Sequence, residues 1–277
     1  MPTPDSHPIG VFDSGYGGLT ILEEIKKNLP QYNYLYLGDN ARTPYGTRSF
    51  DVVYQFTRQA VEYLFQQGCP LVILACNTAS AKALRTIQQK DLVLWGDQSR
   101  RVLGVIRPTV EIIDELSQSK HVGVLGTKGT IASASYEIEI HKMYPHIQVT
   151  GEACPIWVPL VETGEYLSAG ADYFIKKHLY HLLKADPKID TLILGCTHYP
   201  LLSKKIKQYL PDEITLFSQG KCVADSLHDY LRRHPEMDSK ITKESSVRFL
   251  TTESAESFNA SASLFLPYLI EAEHIDL

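Results

Sequence analysis

The sequence predicts an α/β protein of two similar lobes, each a mostly parallel sheet flanked by helices, with its functional site in the cleft between them. Three observations carry this expectation. Short apolar runs of strand length recur along the chain and alternate with helical patterns, the signature of βα units. Each half opens on a glycine-punctuated turn, "PIGVFDSGYGGLT" from Pro8 and "HVGVLGTKGTIAS" from His121. Each half then carries an apolar run that ends in a small residue, a cysteine and polar residues: "LVILACNTAS" around Cys76 and "TLILGCTHYP" around Cys196. The two glycine turns and the two cysteine turns stand at nearly the same offset, which suggests a repeated lobe.

Taken in order, the expected strands are "PIGVF" at 8–12, "YNYLYLG" at 32–38, "PLVILA" at 70–75, "RVLGVI" at 101–106, "HVGVLG" at 121–126 and "TLILG" at 191–195. Each is rich in branched or aromatic residues. After Ser49, the residues Val53, Phe56, Ala60, Leu64 and Phe65 recur at helical spacing; Tyr173, Ile175, Leu179, Leu182 and Leu183 do so again. Residues 88–101 are expected to form the first crossover between lobes and residues 210–214 the second. This gives a first lobe of residues 1–100 plus 212–277 and a second of 101–211. The βα pattern at 247–265 extends one of the two.

The 277 residues are 44% hydrophobic and 21% charged, the balance of a globular chain that buries a core. No apolar run approaches the ~20 residues of a membrane span. The opening "MPTPDSHP" has no basic patch followed by an apolar stretch and so does not read as a signal peptide. A net charge of −5 argues against nucleic acid and anionic membranes as partners, though not against a small anionic substrate. The five cysteines, Cys69, Cys76, Cys154, Cys196 and Cys222, are odd in number and scattered, without C-x-x-C. They argue against a disulfide framework and a cysteine zinc site, and for a reducing, cytoplasmic compartment.

Open parallel sheets place ligands beyond the carboxyl ends of their strands, where both Cys76 and Cys196 are expected. A cysteine just before a helix meets unpaired amides and the positive end of the helix dipole, so a lowered thiol pKa is expected. Asn77 and Thr78 read as caps or as carboxylate ligands, and Thr197 and His198 follow Cys196 in the same way. Two thiols facing one pocket suit inversion of a stereocentre: a thiolate takes a proton from one face and the opposing thiol returns one to the other. The carbanion between needs prearranged donors. "FDSGYGGLT" offers backbone amides at Gly15, Gly17 and Gly18, with Asp13 and Ser14 at the turn. Neither a dinucleotide fingerprint nor a P-loop fits, because Thr20 stands where a glycine is required and no lysine follows. Asp13 reads either as an N-cap or as a partner of Cys76 or of a substrate ammonium. His198 reads as an aid to Cys196 or as an ordinary surface histidine. Glu162 reads as a second acid–base helper or as a solvated helix residue. Pro44, Tyr45 and Gly46 give a fixed turn with amides free for a carboxylate, although a plain loop explains them equally.

Together, "FDSGYGGLT", "GDNARTPYGTRS", "ACNTASA", "GVIRPTVE", "LGTKGTIASASY", "VPLVE" and "LGCTHYPLL" resemble, in order, the sequence blocks of bacterial glutamate racemases. The resemblance spans residues 8–225. It implies two α/β domains with the site between them, a homodimer, no cofactor and no metal, and supply of D-glutamate for peptidoglycan. It implies Cys76 as the base toward D-glutamate and Cys196 toward L-glutamate, supported by Asp13, His198 and Glu162. Substrate contacts are implied at Asp13, Ser14, Tyr45, Gly46, Asn77, Thr78, Thr197 and His198. The chain departs from the family pattern at Tyr16, where valine is common, and at Arg107, where an acidic residue is common. The final fifty residues match poorly and carry no site argument. Aspartate racemases of the same superfamily tend to have histidine and glutamate where this chain has Ser80 and His198. A one-thiol hydrolase or decarboxylase would leave either Cys76 or Cys196 dispensable, and a binding protein would need neither.

Overall fold

Among the described residues ten strands form, all paired in parallel, and they fall into two sheets. The computed structural model describes residues 7–97 and 99–277, so most of the opening stretch read against a signal peptide lies outside the described residues. In chain order the strands are β1 (Ile9–Asp13), β2 (Tyr34–Gly38), β3 (Leu71–Leu74), β4 (Arg101–Gly104), β5 (His121–Gly126), β6 (Gln148–Ala153), β7 (Thr191–Gly195), β8 (Thr215–Phe217), β9 (Val247–Thr251) and β10 (Ala272–His274). One sheet has the order β10-β9-β2-β1-β3-β4 and the other β6-β5-β7-β8. Strands β1, β2, β3 and β7 are buried along their whole length, as expected of parallel strands covered on both faces.

The repeat read from the sequence is present in the topology. Strands β1 to β4 take the spatial order 2-1-3-4, and β5 to β8 take the same order in their own sheet. The lobe boundaries follow from that repeat and correct the expected ones. Residues 101–104 pair with β3 in the first sheet, and residues 215–217 pair with β7 in the second. Boundaries at 101 and 212 therefore each cut a strand from its sheet. The 88–101 stretch is not the crossover: it finishes a helical run, through Ile87–Asp91 and Leu92–Leu94, and begins β4. The chain crosses instead on the helix Ile106–Leu116, and it returns on the helix Gly220–Arg233. That returning helix packs Cys222, Val223 and Leu227 against Leu19, Leu22 and Ile25 of the first lobe. The C-terminal βα pattern extends the first lobe, with β9 pairing β2 and β10 pairing β9.

The helices obey the expected periodicity. Phe50–Gln66 begins on Ser49, whose hydroxyl accepts from the Val52 N–H at 3.4 Å, and buries Val53, Ala60, Leu64 and Phe65. Ala169–Ala185 begins on Ser168, which accepts from the Ala171 N–H, and buries Ile175, Leu179 and Leu182. Tyr173, expected on that buried stripe, is 63% exposed. Strands β6, β8 and β10 carry weak apolar signals because they lie at sheet edges, and β6 is partly exposed along its length.

Candidate active site

In each sheet the strand order reverses beside the first strand of the repeat, and the crevice beyond the carboxyl ends at such a switch point is where open α/β sheets bind ligands. In the first lobe β1 and β3 end there, in Asp13 and, two residues past β3, in Cys76. In the second lobe β5 and β7 end there, followed directly by Thr127 and Cys196. The two ends face each other across the lobe junction. A Cβ built on Gly17 would lie 2.2 Å from Thr197 Oγ1 and 2.4 Å from His198 Nδ1. The Thr20 hydroxyl donates to the Thr197 carbonyl at 3.1 Å, and Thr78 Oγ1 lies 2.9 Å from Thr127 Oγ1. Replacing Gly17 with alanine therefore forces the His198 ring away. Turnover of the Gly17→Ala protein is expected to fall about 100-fold, the cost of a misplacement near 1 Å, while its circular dichroism stays that of the parent. Activity within twofold of the parent would show that this close approach does not matter.

Both thiols are 6% exposed. Cys76 itself is the N-cap of the helix Asn77–Lys82, its Sγ accepting from the Ala79 N–H at 3.4 Å, so neither Asn77 nor Thr78 caps. Ser14 Oγ lies 3.4 Å from the same sulfur. The lowered thiol pKa expected at the helix start does not occur. Burial, with the Asp13 carboxylate adding to it, pushes Cys76 up to about 11 against the Ser14 and Ala79 donors. Burial raises Cys196 as well, with negative charge on Cys76, Asp13 and Glu162 adding to the rise. The charge on Cys76 is thus felt at Cys196 across the junction.

The Cys196 side is organised by a histidine. His198 Nδ1 lies 3.9 Å from Cys196 Sγ, and His198 Nε2 lies 2.9 Å from Glu162 Oε1. A carboxylate at Nε2 orients the ring so that Nδ1 faces the thiol. Glu162, at the end of the helix Trp157–Glu162, is thus a partner of His198 rather than a solvated helix residue. Cys196 caps no helix: His198 precedes a short 3₁₀ turn, Tyr199–Leu202, in which Pro200 stands early.

Asp13 is fully buried and is not an N-cap. Its Oδ2 accepts from the Gly15 N–H at 3.0 Å, and the Gly18 N–H also points at the carboxylate, so two amides expected to face a substrate anion are held by Asp13. Burial nevertheless raises the Asp13 pKa, with the His198 ring opposing. Thr197 Oγ1 lies 3.5 Å from Asp13 Oδ1 and ties the lobes again. Asn77 is buried; its Oδ1 accepts from the Tyr136 hydroxyl at 2.6 Å, and its Nδ2 has no partner in the protein among the described residues. Asn40 Nδ2, close to Gly15, is a second buried donor in that condition. Tyr45 is buried with its hydroxyl donated to Asp39, so it anchors its turn, while Gly46 packs on Thr127.

Several neighbours carried no site signal in the sequence. Thr127 and Thr130 surround the Thr78 hydroxyl, at 2.9 and 3.3 Å. Tyr136 grips Asn77 and is itself held by Gln219 at 2.6 Å. Phe265, in the C-terminal stretch that carries no site argument in the sequence, stands edge-on to His198 with ring centroids 5.4 Å apart. Tyr16 stacks on Phe258 and Phe265 at 5.2 and 6.1 Å, joining that stretch to the glycine turn. Arg107 pairs with Glu111 on an exposed helix face.

Burial of the thiols also sets an alkaline limit on stability. Cys76 and Cys222 rise from 9.0 to about 11, and Cys69, Cys154 and Cys196 also rise. The unfolded chain then loses thiol protons before the folded one, so stability falls as pH rises through 9.0 toward about 11. Cys76 alone accounts for roughly 2–3 kcal/mol of that fall. Melting midpoints measured across this range are expected to drop steadily, less so in a Cys69→Ala protein; a flat profile would contradict the shift.

Comparisons with known proteins show the family and the fold. A family profile described as Asp/Glu/Hydantoin racemase matches residues 15–227. A glutamate racemase of Paracoccus denitrificans is 40% identical over 275 residues, covering 96% of this chain and 98% of the relative. The crystal structure of glutamate racemase isoform RacE1 from Bacillus anthracis superposes with a TM-score of 0.87 at 36% identity, covering 99% of this chain and 98% of that one. Glutamate racemase from Francisella tularensis, solved in complex with D-glutamate, gives 0.85 at 33% identity, with 98% of each chain covered. The chain belongs to the Asp/Glu/Hydantoin racemase family and, within it, to the glutamate racemases, which makes it an amino-acid racemase.

Proposed function

We propose that the protein interconverts L- and D-glutamate without a cofactor, by proton transfer between Cys76 and Cys196. The observation that supports this reading is the placement of two buried cysteines, one beyond the switch point of each sheet, at strand ends that hydrogen bonds join across the lobe junction. Toward L-glutamate, His198 Nδ1 takes the Cys196 proton, and Glu162 at Nε2 stabilises the imidazolium. The Cys196 thiolate removes the α-proton, and the electron pair delocalises into the α-carboxylate. The Cys76 thiol then delivers its proton to the opposite face, giving D-glutamate and a Cys76 thiolate. The reverse direction starts from that thiolate, strengthened as a base by the Asp13 charge.

The donors for such a carbanion are the Asn77 amide, the Ser14 hydroxyl and the Thr78 and Thr197 hydroxyls, with the Tyr45 and Gly46 turn closing the site. The Asn77 amide, buried and without a protein partner among the described residues, is the donor best prearranged for charge moving onto the carboxylate. Asp13 is the carboxylate assigned to the substrate ammonium in this reading. The proposal includes the consequences of the activity: D-glutamate supply for peptidoglycan, and so for cell-wall biogenesis and cell shape, in the cytoplasm and as a homodimer. Among the described residues no helix is long and apolar enough to cross a membrane.

Incubation with L-glutamate in heavy water, without pyridoxal phosphate, tests the reaction. The expected outcome is racemisation with solvent deuterium at Cα of the D-glutamate formed, and a much slower reaction with L-aspartate. Retention of the original α-proton, a need for added pyridoxal phosphate, or a preference for aspartate would each contradict the reading. Depletion in the host should stop growth, and external D-glutamate should restore it. Light scattering at the mass of one chain would contradict the dimer.

A further inference from the structure

Outside the thiol site, one group of side chains has the donor set and the geometry of a metal centre. We propose that Glu152, His178 and His181 bind one divalent transition-metal ion, with zinc the best match. Glu152 lies on β6, and the two histidines project from one face of the helix Ala169–Ala185, three residues apart. His178 Nδ1 lies 2.6 Å from Glu152 Oε1, and His181 Nδ1 lies 3.5 Å from the same oxygen. One ligand atom from each of the three falls within 4.8 Å of the others.

Zinc bound at about 2.0–2.2 Å to nitrogen and oxygen in a tetrahedron sets its ligand atoms roughly 3.3 Å apart. The observed triangle brackets that separation, so an ion needs only small side-chain rotations. The chemistry also fits. Two neutral imidazoles and one carboxylate supply a set of charge −1, and among the described residues no lysine or arginine pairs with Glu152. The ion would replace the proton now shared between His178 and Glu152. His178 is almost fully buried, its ring held edge-on by Trp157 at 5.9 Å, while His181 is half exposed. The site therefore has a fixed inner side and an open outer position for water and for entry of the ion.

The consequence is structural. A bound ion clamps β6 to the helix that covers it, directly behind Trp157. Trp157 in turn packs on Tyr199, the residue after His198, at 4.9 Å. The ion thus stiffens the wall behind the Cys196 side of the site while taking no part in proton transfer.

The test uses untagged full-length protein, dialysed against chelator and titrated with zinc chloride, with Co²⁺ as a spectroscopic probe. One ion per chain, visible Co²⁺ d–d absorption of a low-coordinate nitrogen and oxygen site, and a rise in melting temperature with zinc are expected. His181→Ala removes a half-exposed ligand without disturbing the core, and Glu152→Gln keeps the shape while removing the charge. Each should weaken zinc binding at least about tenfold, the loss that even an outer-shell partner's removal brings. Both should abolish the Co²⁺ spectrum, and His181→Ala should still racemise glutamate. Absence of stoichiometric binding by the parent protein, or unchanged binding and spectrum in His181→Ala, would overturn the proposal. Failure of racemisation in the parent would count against the catalytic reading alone.

Discussion

Alanine at Cys76 or at Cys196 is expected to abolish racemisation in both directions, a loss of roughly 10²–10⁴-fold or more for each thiol, because a positioned proton donor or acceptor is removed on one face. The symmetry of the loss is the point. A one-base enzyme would tolerate one of the two changes. Each variant should keep half of the chemistry. Cys76→Ala retains the base facing L-glutamate and should exchange the α-proton of L-glutamate with solvent, returning it with its configuration unchanged. Cys196→Ala should do so only with D-glutamate. Both side chains are small, and melting temperatures near that of the parent should show that the fold survives. Exchange of both enantiomers by one variant would reverse the assignment of faces.

The second large effect is expected from Asp13→Asn. The Asp13 carboxylate is buried, held by the Gly15 and Gly18 amides, and placed so that its charge raises both thiols. Asparagine keeps the shape and removes the charge. The pKa of Cys76 then falls below about 11, since the thiolate is no longer repelled. A weaker base follows, and turnover is expected to drop about 10–100-fold. Iodoacetamide alkylation followed against pH reads the thiol directly, with the midpoint moving toward lower pH as turnover declines. A lower turnover with an unmoved midpoint would make Asp13 a purely structural residue.

Much of this arrangement is legible in the sequence because it is local. An apolar run ending in a small residue and a cysteine marks a buried parallel strand and the turn after it. That grammar occurs in both halves, so it located Cys76, Cys196, Asp13 and His198 at strand ends. The lobe boundaries are hidden because the stretches 88–101 and 210–214 run into β4 and β8, and nothing in either says which sheet the strand after it joins. What the sequence hides is contact at long range. The grip of Gln219 on Tyr136 and of Tyr136 on Asn77 joins three segments far apart in the chain. Phe265 reaches His198 only because β9 adds to the far side of the first sheet. The rise in the thiol pKa is hidden because a helix start is visible in sequence and the depth of burial is not. His178 and His181 are visibly spaced for a metal, but their third partner lies on a strand that the sequence shows only faintly.

The most direct measurement is a crystal structure with D-glutamate bound and both thiols intact. The account expects Cα to lie between Cys76 Sγ and Cys196 Sγ, each about 3–3.5 Å away and on opposite faces of the stereocentre. Sulfurs opening into separate cavities, or both meeting the amino acid from one side, would contradict it.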